Sequence, residues 1–259
     1  MIFDTHCHLD AAPLGADTEA VLARARAAGV ERVLVPGVRP AQWDALEALR
    51  DRHPASVAIA LGIHPQCLPQ MSSLERASGL EALEAQARRS RAVAIGECGL
   101  DGATARDQGV SLEAQAAVVR RHVEVADRLG LPLIVHAQGA MGASLALFES
   151  LGPRRHGAVL HAFGGPAALV PRWAAIGFSF GIGPPITWPR ARRPKDAARA
   201  VPLDRLLLET DAPGTYVHAS RVGEPAEARA VLAALAALRD EPEALVRRAS
   251  TESALRLFG

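Results

Sequence analysis

Short apolar runs rich in β-branched residues recur along this chain and alternate with longer, alanine-rich stretches of helical periodicity. The runs are Ile2–His6, Arg32–Val35, Val57–Ile63, Ala92–Glu97, Leu133–His136, Ala158–His161, Phe178–Ile182 and Leu206–Thr210. Helical patterns between them include Ala41–Arg52, Leu80–Arg89, Ser111–Leu129 and Ala140–Leu151. A strand that is apolar along its whole length must be covered on both faces, which is the condition of a parallel sheet wrapped by helices. About eight such units in 259 residues predict a single α/β domain, residues 1–259, folded as a (β/α)8 TIM barrel, with an open doubly wound sheet as the alternative. The stretch after Ser111 has a capping residue at its start and a stop at Gly130 before Pro132. Two further helical stretches, Pro225–Leu238 and Glu241–Leu257, close the chain.

The 49% hydrophobic fraction is ample for a core and excludes wholesale disorder. No apolar run approaches the roughly 20 residues of a membrane helix, and the MIFDTH opening shows no basic segment before an apolar one. A cytoplasmic protein is therefore expected, without membrane association. Cys7, Cys67 and Cys98 form no CxxC pair, which argues against a disulfide framework or a thiolate zinc site. Lys and Arg total 29 against 28 Asp and Glu, so any nucleic-acid partner must be held locally and not by bulk charge. Nothing in the sequence points to an obligate protein partner.

Five of the apolar runs end in a side chain that can ligate a metal: IFDTHCH, AVAIGE, LPLIVH, AVLH and LLLETD. Their ends supply His6 and His8, Glu97, His136, His161 and Asp211. A parallel barrel gathers all strand C-termini at one mouth, so these four imidazoles and two carboxylates become neighbours suited to one or two divalent cations. His6 and His8, two apart on an extended strand, point to one side while Cys7 points away. A lone His-x-His is weak evidence, and a lone histidine at a strand end is usually a satisfied core residue. The conjunction carries the argument, since packing alone would leave six buried polar groups unpaired. His53, His122, His156 and His218 fall outside the pattern and read as surface or structural.

Several other groups are expected at the mouth. His64, in ALGIHP, suits contact with a phosphate or leaving group better than a purely structural role. Asp4 shares a face with His6 and His8, where orienting a ligand is its expected use. Asp101 lies just past Glu97 and is balanced between substrate contact and shaping a loop. Cys98 should point out of the barrel, and Cys67 is a loop cysteine without a visible partner. The stretch WPRARRPK, Trp188–Lys195, joins an aromatic to basic heads and could stack a base and clamp phosphates, with a solvated basic loop as the equal alternative.

The segments IFDTHCHLD, LGIHP, AIGECGLD, LPLIVHA, LHAFGG and LLLETDAP together resemble the motif set of the TatD family of metal-dependent hydrolases, within the amidohydrolase superfamily. Order and spacing match from residue 1 to STESALRLFG, and GIGPPITWPRARRPKDA is similar to the YjjV-like branch. The resemblance implies a distorted TIM barrel with a two-metal site, in a family that includes magnesium-dependent 3′–5′ deoxyribonucleases. It implies His6, His8 and Asp211 on the first metal, His136 and His161 on the second, and Glu97 bridging both. Related barrels often bridge with a carboxylated lysine; here the only lysine, Lys195, follows the seventh strand, so the glutamate-bridged branch is favoured. Four histidines favour Zn or Mn, whereas the resemblance favours Mg.

These expectations make a metal-dependent phosphodiesterase, most simply a 3′–5′ deoxyribonuclease acting on single-stranded DNA, the leading reading. Asp211 is the expected general base beside Glu97. His64, Asp101, Trp188 and Arg190 are expected at the substrate. Ester or amide hydrolysis, such as aminoacyl-tRNA deacylation, is the enzymatic alternative, and a non-catalytic binding factor the third. Two departures from the family pattern bear on substrate recognition: the usual His-x-Arg reads His136-Ala137-Gln138, and the usual Asn-x-Pro reads Gly223-Glu224-Pro225. The unusual segment between Asp211 and Pro225 is expected to bring Tyr216 and His218 near the site.

Overall fold

The computed structural model of the protein describes residues 1–214 and 222–259. Eight strands run in chain order as β1 (Ile2–Asp4), β2 (Val30–Pro36), β3 (Val57–Leu61), β4 (Ala94–Asp101), β5 (Leu133–Gln138), β6 (Ala158–Leu160), β7 (Phe178–Ile182) and β8 (Leu206–Leu208). Each pairs in parallel with the next, giving a sheet of order β1 to β8. Thr5, just past β1, closes the ring by donating its backbone N–H and its hydroxyl to the Leu208 carbonyl, both at 3.0 Å. The α/β barrel expected from the alternating pattern is the fold, and the open doubly wound sheet is not.

Helices α1 (Thr18–Ala27), α2 (Trp43–Arg52), α3 (Ser73–Arg89), α4 (Gly102–Asp107), α5 (Leu112–Leu129), α6 (Met141–Leu151), α7 (Val170–Ala175), α8 (Arg192–Ala200), α9 (Ala228–Arg239) and α10 (Glu243–Phe258) surround the sheet. Their boundaries follow local chemistry. The Ser111 hydroxyl accepts the Ala114 N–H at the start of α5, and Gly130 ends it with φ 69°, a left-handed conformation that glycine adopts freely. The Trp188–Lys195 stretch differs from the loop expected there. Its second half is the first turn of α8, where Pro194 is accommodated because a first-turn N–H has no intrahelical partner to lose.

Inside the ring a small apolar layer forms from Phe3, Leu34, Ala58, Ala60, Ala94, Ile134, Val159 and Leu207, closed below by Ala254 and Phe258 of α10. The larger core lies between sheet and helices and takes up the opposite strand faces, including Cys7 and Cys98. No helix among the described residues is long and apolar enough to cross a membrane.

Candidate active site

Three of the ligand-bearing segments leave the ladder before their histidine or carboxylate is reached. β1 ends at Asp4, β6 at Leu160 and β8 at Leu208, each short of the expected strand end. Single backbone bonds to the neighbouring strands continue past these ends, from the Cys7 N–H to the Leu34 carbonyl, the His161 N–H to Val135 and the Glu209 N–H to Ile182. Asp4 ties this region together: its carboxylate accepts from the Thr210 hydroxyl (2.6 Å), the Thr210 N–H (2.9 Å) and the His6 N–H (3.3 Å). Beyond it the Asp211 N–H donates to the His6 carbonyl at 2.8 Å. Asp4 thus braces the backbone at His6 and Thr210, and makes no hydrogen bond to a ligand side chain among the described residues.

Glu97 reaches the mouth through an irregularity. Strict alternation from Ala94, which faces inward, would turn residue 97 outward. The pairing of β4 with β5 shifts between Ile95 and Cys98, so Cys98 packs in the outer core and the Glu97 side chain enters the ring. Gly96, at φ 136°, occupies a conformation that L side chains rarely adopt, which the shift requires.

Five imidazoles converge on that one carboxylate. On one oxygen, Oε2, lie His6 Nε2 at 3.2 Å and His8 Nε2 at 3.7 Å. On Oε1 lie His64 Nε2 at 3.0 Å, His161 Nε2 at 3.1 Å and His136 Nδ1 at 3.2 Å. Asp211 Oδ1 stands 3.6 Å from His8 and 3.9 Å from His6. All six residues singled out as ligands are therefore brought together, with one carboxylate oxygen facing each half of the set. Both Glu97 oxygens and both His6 ring nitrogens are buried without a hydrogen bond of acceptable geometry. A cluster of nitrogen and oxygen lone pairs left unpaired in the interior is unfavourable unless a cation takes them up, so the donor set fits divalent metal. Three groups of these residues bring their ligand atoms within 4.8 Å of one another.

Neighbouring groups fix how three of the rings present themselves. The His136 Nε2–H donates to Asp101 Oδ2 at 3.1 Å, which leaves the Nδ1 lone pair facing Glu97. His161 Nδ1 lies 3.5 Å from Glu209 Oε1, which leaves its Nε2 facing Glu97. His64 is turned the other way. Its Nδ1 accepts the Gln66 N–H at 3.1 Å, so the neutral ring carries its proton on Nε2 and offers a donor, not a lone pair. Asp101 is buried and held well below the usual carboxylate range by its bond to His136, aided by Thr104 and Gln66 against the effect of burial. Burial would raise the Glu97 carboxyl, but His64, His161 and His6 outweigh it and hold Glu97 well below that range. Burial and the nearby His6 push the His8 imidazole down to about 4.

Glu209 was not singled out in the sequence, although it stands two residues before Asp211, the same spacing that marks His6 and His8. It is fully buried and accepts the Ala162 N–H at 2.5 Å. Ala162 follows His161 at φ 48°, a left-handed conformation unfavourable for alanine, so this bond holds a strained turn directly behind the imidazole. Gly181 is required opposite, because a Cβ there would collide with the Glu209 carboxylate.

A cavity of about 450 Å³ opens beside His136 and His161, walled by Gln138, Met141, several glycines and Arg193. Of the basic stretch after β7, Arg193 reaches this wall; Trp188 and Arg190 do not line it. Trp188 is 38% exposed on the loop outside. Asp101 lies behind His136, away from this wall. Gly223 is buried beside Pro213, and Glu224 forms a two-pronged ion pair with Arg24 of α1, both contacts at 2.8 Å. Tyr216 and His218 lie outside the described residues. His122 is buried in α5, and His53 Nε2 lies 3.6 Å from Glu19 Oε1.

A family model described as TatD related DNase matches residues 3–259. The chain belongs to the TatD family. This TatD-family protein is a metal-dependent hydrolase. It is 34% identical over 257 residues to the Escherichia coli protein named uncharacterized metal-dependent hydrolase YjjV, covering 98% of this chain and 96% of that one. The crystal structure of that TatD homologue superposes with a TM-score of 0.90 at 31% identity, over 99% of this chain and 97% of the other. The Erwinia billingiae protein named 3'-5' ssDNA/RNA exonuclease TatD is 32% identical, covering 99% of this chain and 98% of its own. Human deoxyribonuclease TATDN3 is 28% identical, over 99% and 94%.

Proposed function

We propose that this TatD-family hydrolase is a two-metal phosphodiesterase that acts on single-stranded DNA as a 3′–5′ exonuclease. In this reading His6, His8 and Asp211 would hold one divalent cation, His136 and His161 would hold the other, and Glu97 would serve both. When bound, the pair supplies Lewis acidity that lowers the pKa of water and offsets charge on a phosphoryl group. Asp211, 26% exposed at the rim, accepts the proton of the attacking water. His64, fixed as a donor by Gln66, gives its Nε2–H to an oxygen of the phosphate as charge builds there. Arg193 pairs with a phosphate in the adjoining cavity, in a position that offsets the missing arginine at Gln138.

The observation that carries the phosphodiester reading is the cavity beside the imidazole cluster, with a single guanidinium and an amide as its polar wall. The activities named for the Erwinia and human relatives point the same way. The test is a substrate panel with magnesium, manganese or zinc: labelled single-stranded DNA, an aryl phosphodiester and an aryl carboxylic ester. Hydrolysis of both phosphodiesters with shortening from the 3′ end is expected, and activity confined to the carboxylic ester would overturn the reading. Arg193→Ala should weaken DNA binding and flatten its salt dependence by about 0.7 per lost phosphate contact, while Arg190→Ala leaves it unchanged.

A further inference from the structure

We propose that the floor of the barrel carries a second ligand site, for a short phosphate chain, at the end opposite the metal cluster. The floor is formed where β5 to β8 begin, with the last turn of α10 laid across it. A cavity of about 510 Å³ opens there, lined by Arg154, Arg155, Arg205, Arg256 and the hydroxyl-bearing Ser179, among others. No carboxylate lines it. In a chain whose net charge is only +1, four guanidinium groups around one hollow are an uneven distribution of charge.

Part of this cluster has a structural use. Helix C-termini converge on the floor, and cations there satisfy terminal carbonyls. Arg154 donates to the carbonyls of Leu151 and Gly152 and pairs with Asp127, while Arg256 donates to the Asp204 carbonyl. That use does not extend to Arg155 and Arg205, whose guanidinium groups have no partner among the described residues. Nor does it explain Ser179. Its strand face belongs to the interior, where the neighbouring strands place alanine, isoleucine, valine or leucine. It is 3% exposed, lines the cavity, and its hydroxyl has no hydrogen-bond partner among the described residues. The Ser179 hydroxyl at the bottom of the hollow, the exposed Arg155 and the half-buried Arg205 thus face one space with no protein partner among the described residues.

The missing partner is an anion. A monocarboxylate would leave most of the positive charge unmatched, whereas a chain of two or three phosphates brings several charges and the oxygens that guanidinium forks grip in pairs. A nucleoside triphosphate and inorganic triphosphate share this chemistry.

The experiment is calorimetric titration of the metal-loaded protein with inorganic triphosphate and, separately, ATP, with magnesium in excess so that the ligand does not strip the site metals. A saturable site separate from any binding at the metal mouth is expected. Arg155→Ala combined with Arg205→Ala, neither of which breaks a contact of the fold, should weaken binding at least about tenfold, the loss of two charge-assisted contacts. Arg193→Ala at the mouth should leave affinity unchanged. Ser179→Val should weaken binding without lowering the melting temperature, a result that separates a ligand contact from a structural hydroxyl. ATP binding at least as tight as triphosphate supports a nucleotide as the natural source, and tighter inorganic triphosphate supports a bare phosphate chain. No heat with either ligand, full affinity in the double variant, or loss of binding in Arg193→Ala would overturn the proposal.

Discussion

Glu97 faces five imidazoles through two oxygens, so its replacement should affect both halves of the cluster, whereas each histidine serves one. Glu97→Gln is expected to lower metal content and turnover more than His6→Ala or His136→Ala, as measured by metal analysis of purified variants alongside hydrolysis. Retained metal content in Glu97→Gln would remove it from the centre of the site. Glu209 makes a different prediction, because it touches no ligand atom and acts through the orientation of His161 and the turn at Ala162. Glu209→Gln should weaken metal binding roughly 10- to 100-fold, the effect typical of groups that orient a ligand, with the far-ultraviolet spectrum unchanged. The readout is a metal titration, and unaltered affinity would make Glu209 a packing residue. The six ligand-type residues were legible in the sequence because each ends an apolar run. Glu209 was not, because in LLLETD the final aspartate already answers the pattern and nothing in one strand says which neighbour lies behind His161.

Helix α5 is coupled to the segment after β3 that carries His64 through a single buried imidazole. His122 donates its Nδ1–H to the Val118 carbonyl at 2.8 Å and accepts the Ile63 N–H on Nε2 at 2.9 Å, which requires a neutral ring. Burial pushes its pKa down from 6.5 to about 4. As pH falls below 6.5 the unfolded chain takes up a proton that the folded one refuses, so stability is lost on going from pH 6.5 toward 4. The loss reaches about 3 kcal/mol, since one pKa unit is 1.36 kcal/mol. His122→Gln can make both hydrogen bonds without titrating, so its denaturation free energy should fall less steeply across that window; parallel curves would dismiss the coupling. The sequence indicates α5 well because its cap and stop are local chemistry. Element ends at the mouth were less legible. Apolar character continues past the last ladder bond, so β1, β6 and β8 read longer than they are, and the polar start of α8 reads as loop.

For the whole molecule, the cluster should link metal to stability. A cation at about 100 times its dissociation constant stabilises the folded state by about 2.7 kcal/mol per site. In a chain of this size that is a melting shift on the order of 5–10 °C. Chelator should lower the melting temperature by such an amount and abolish hydrolysis, with both restored by readdition; full activity in demetallated protein would sink the metal assignment. The seam where Thr5 meets Leu208, 203 residues along the chain, has a further consequence. His6 and His8 stand on one side of that seam and Asp211 on the other, joined by backbone bonds across it. During synthesis the nascent chain emerges with its first two imidazoles almost at once, yet the carboxylate that faces them arrives only after the eighth strand. If His6, His8 and Asp211 hold a cation together as proposed, its capture is expected late, and its retention by a ribosome-bound chain would report that the ring has shut.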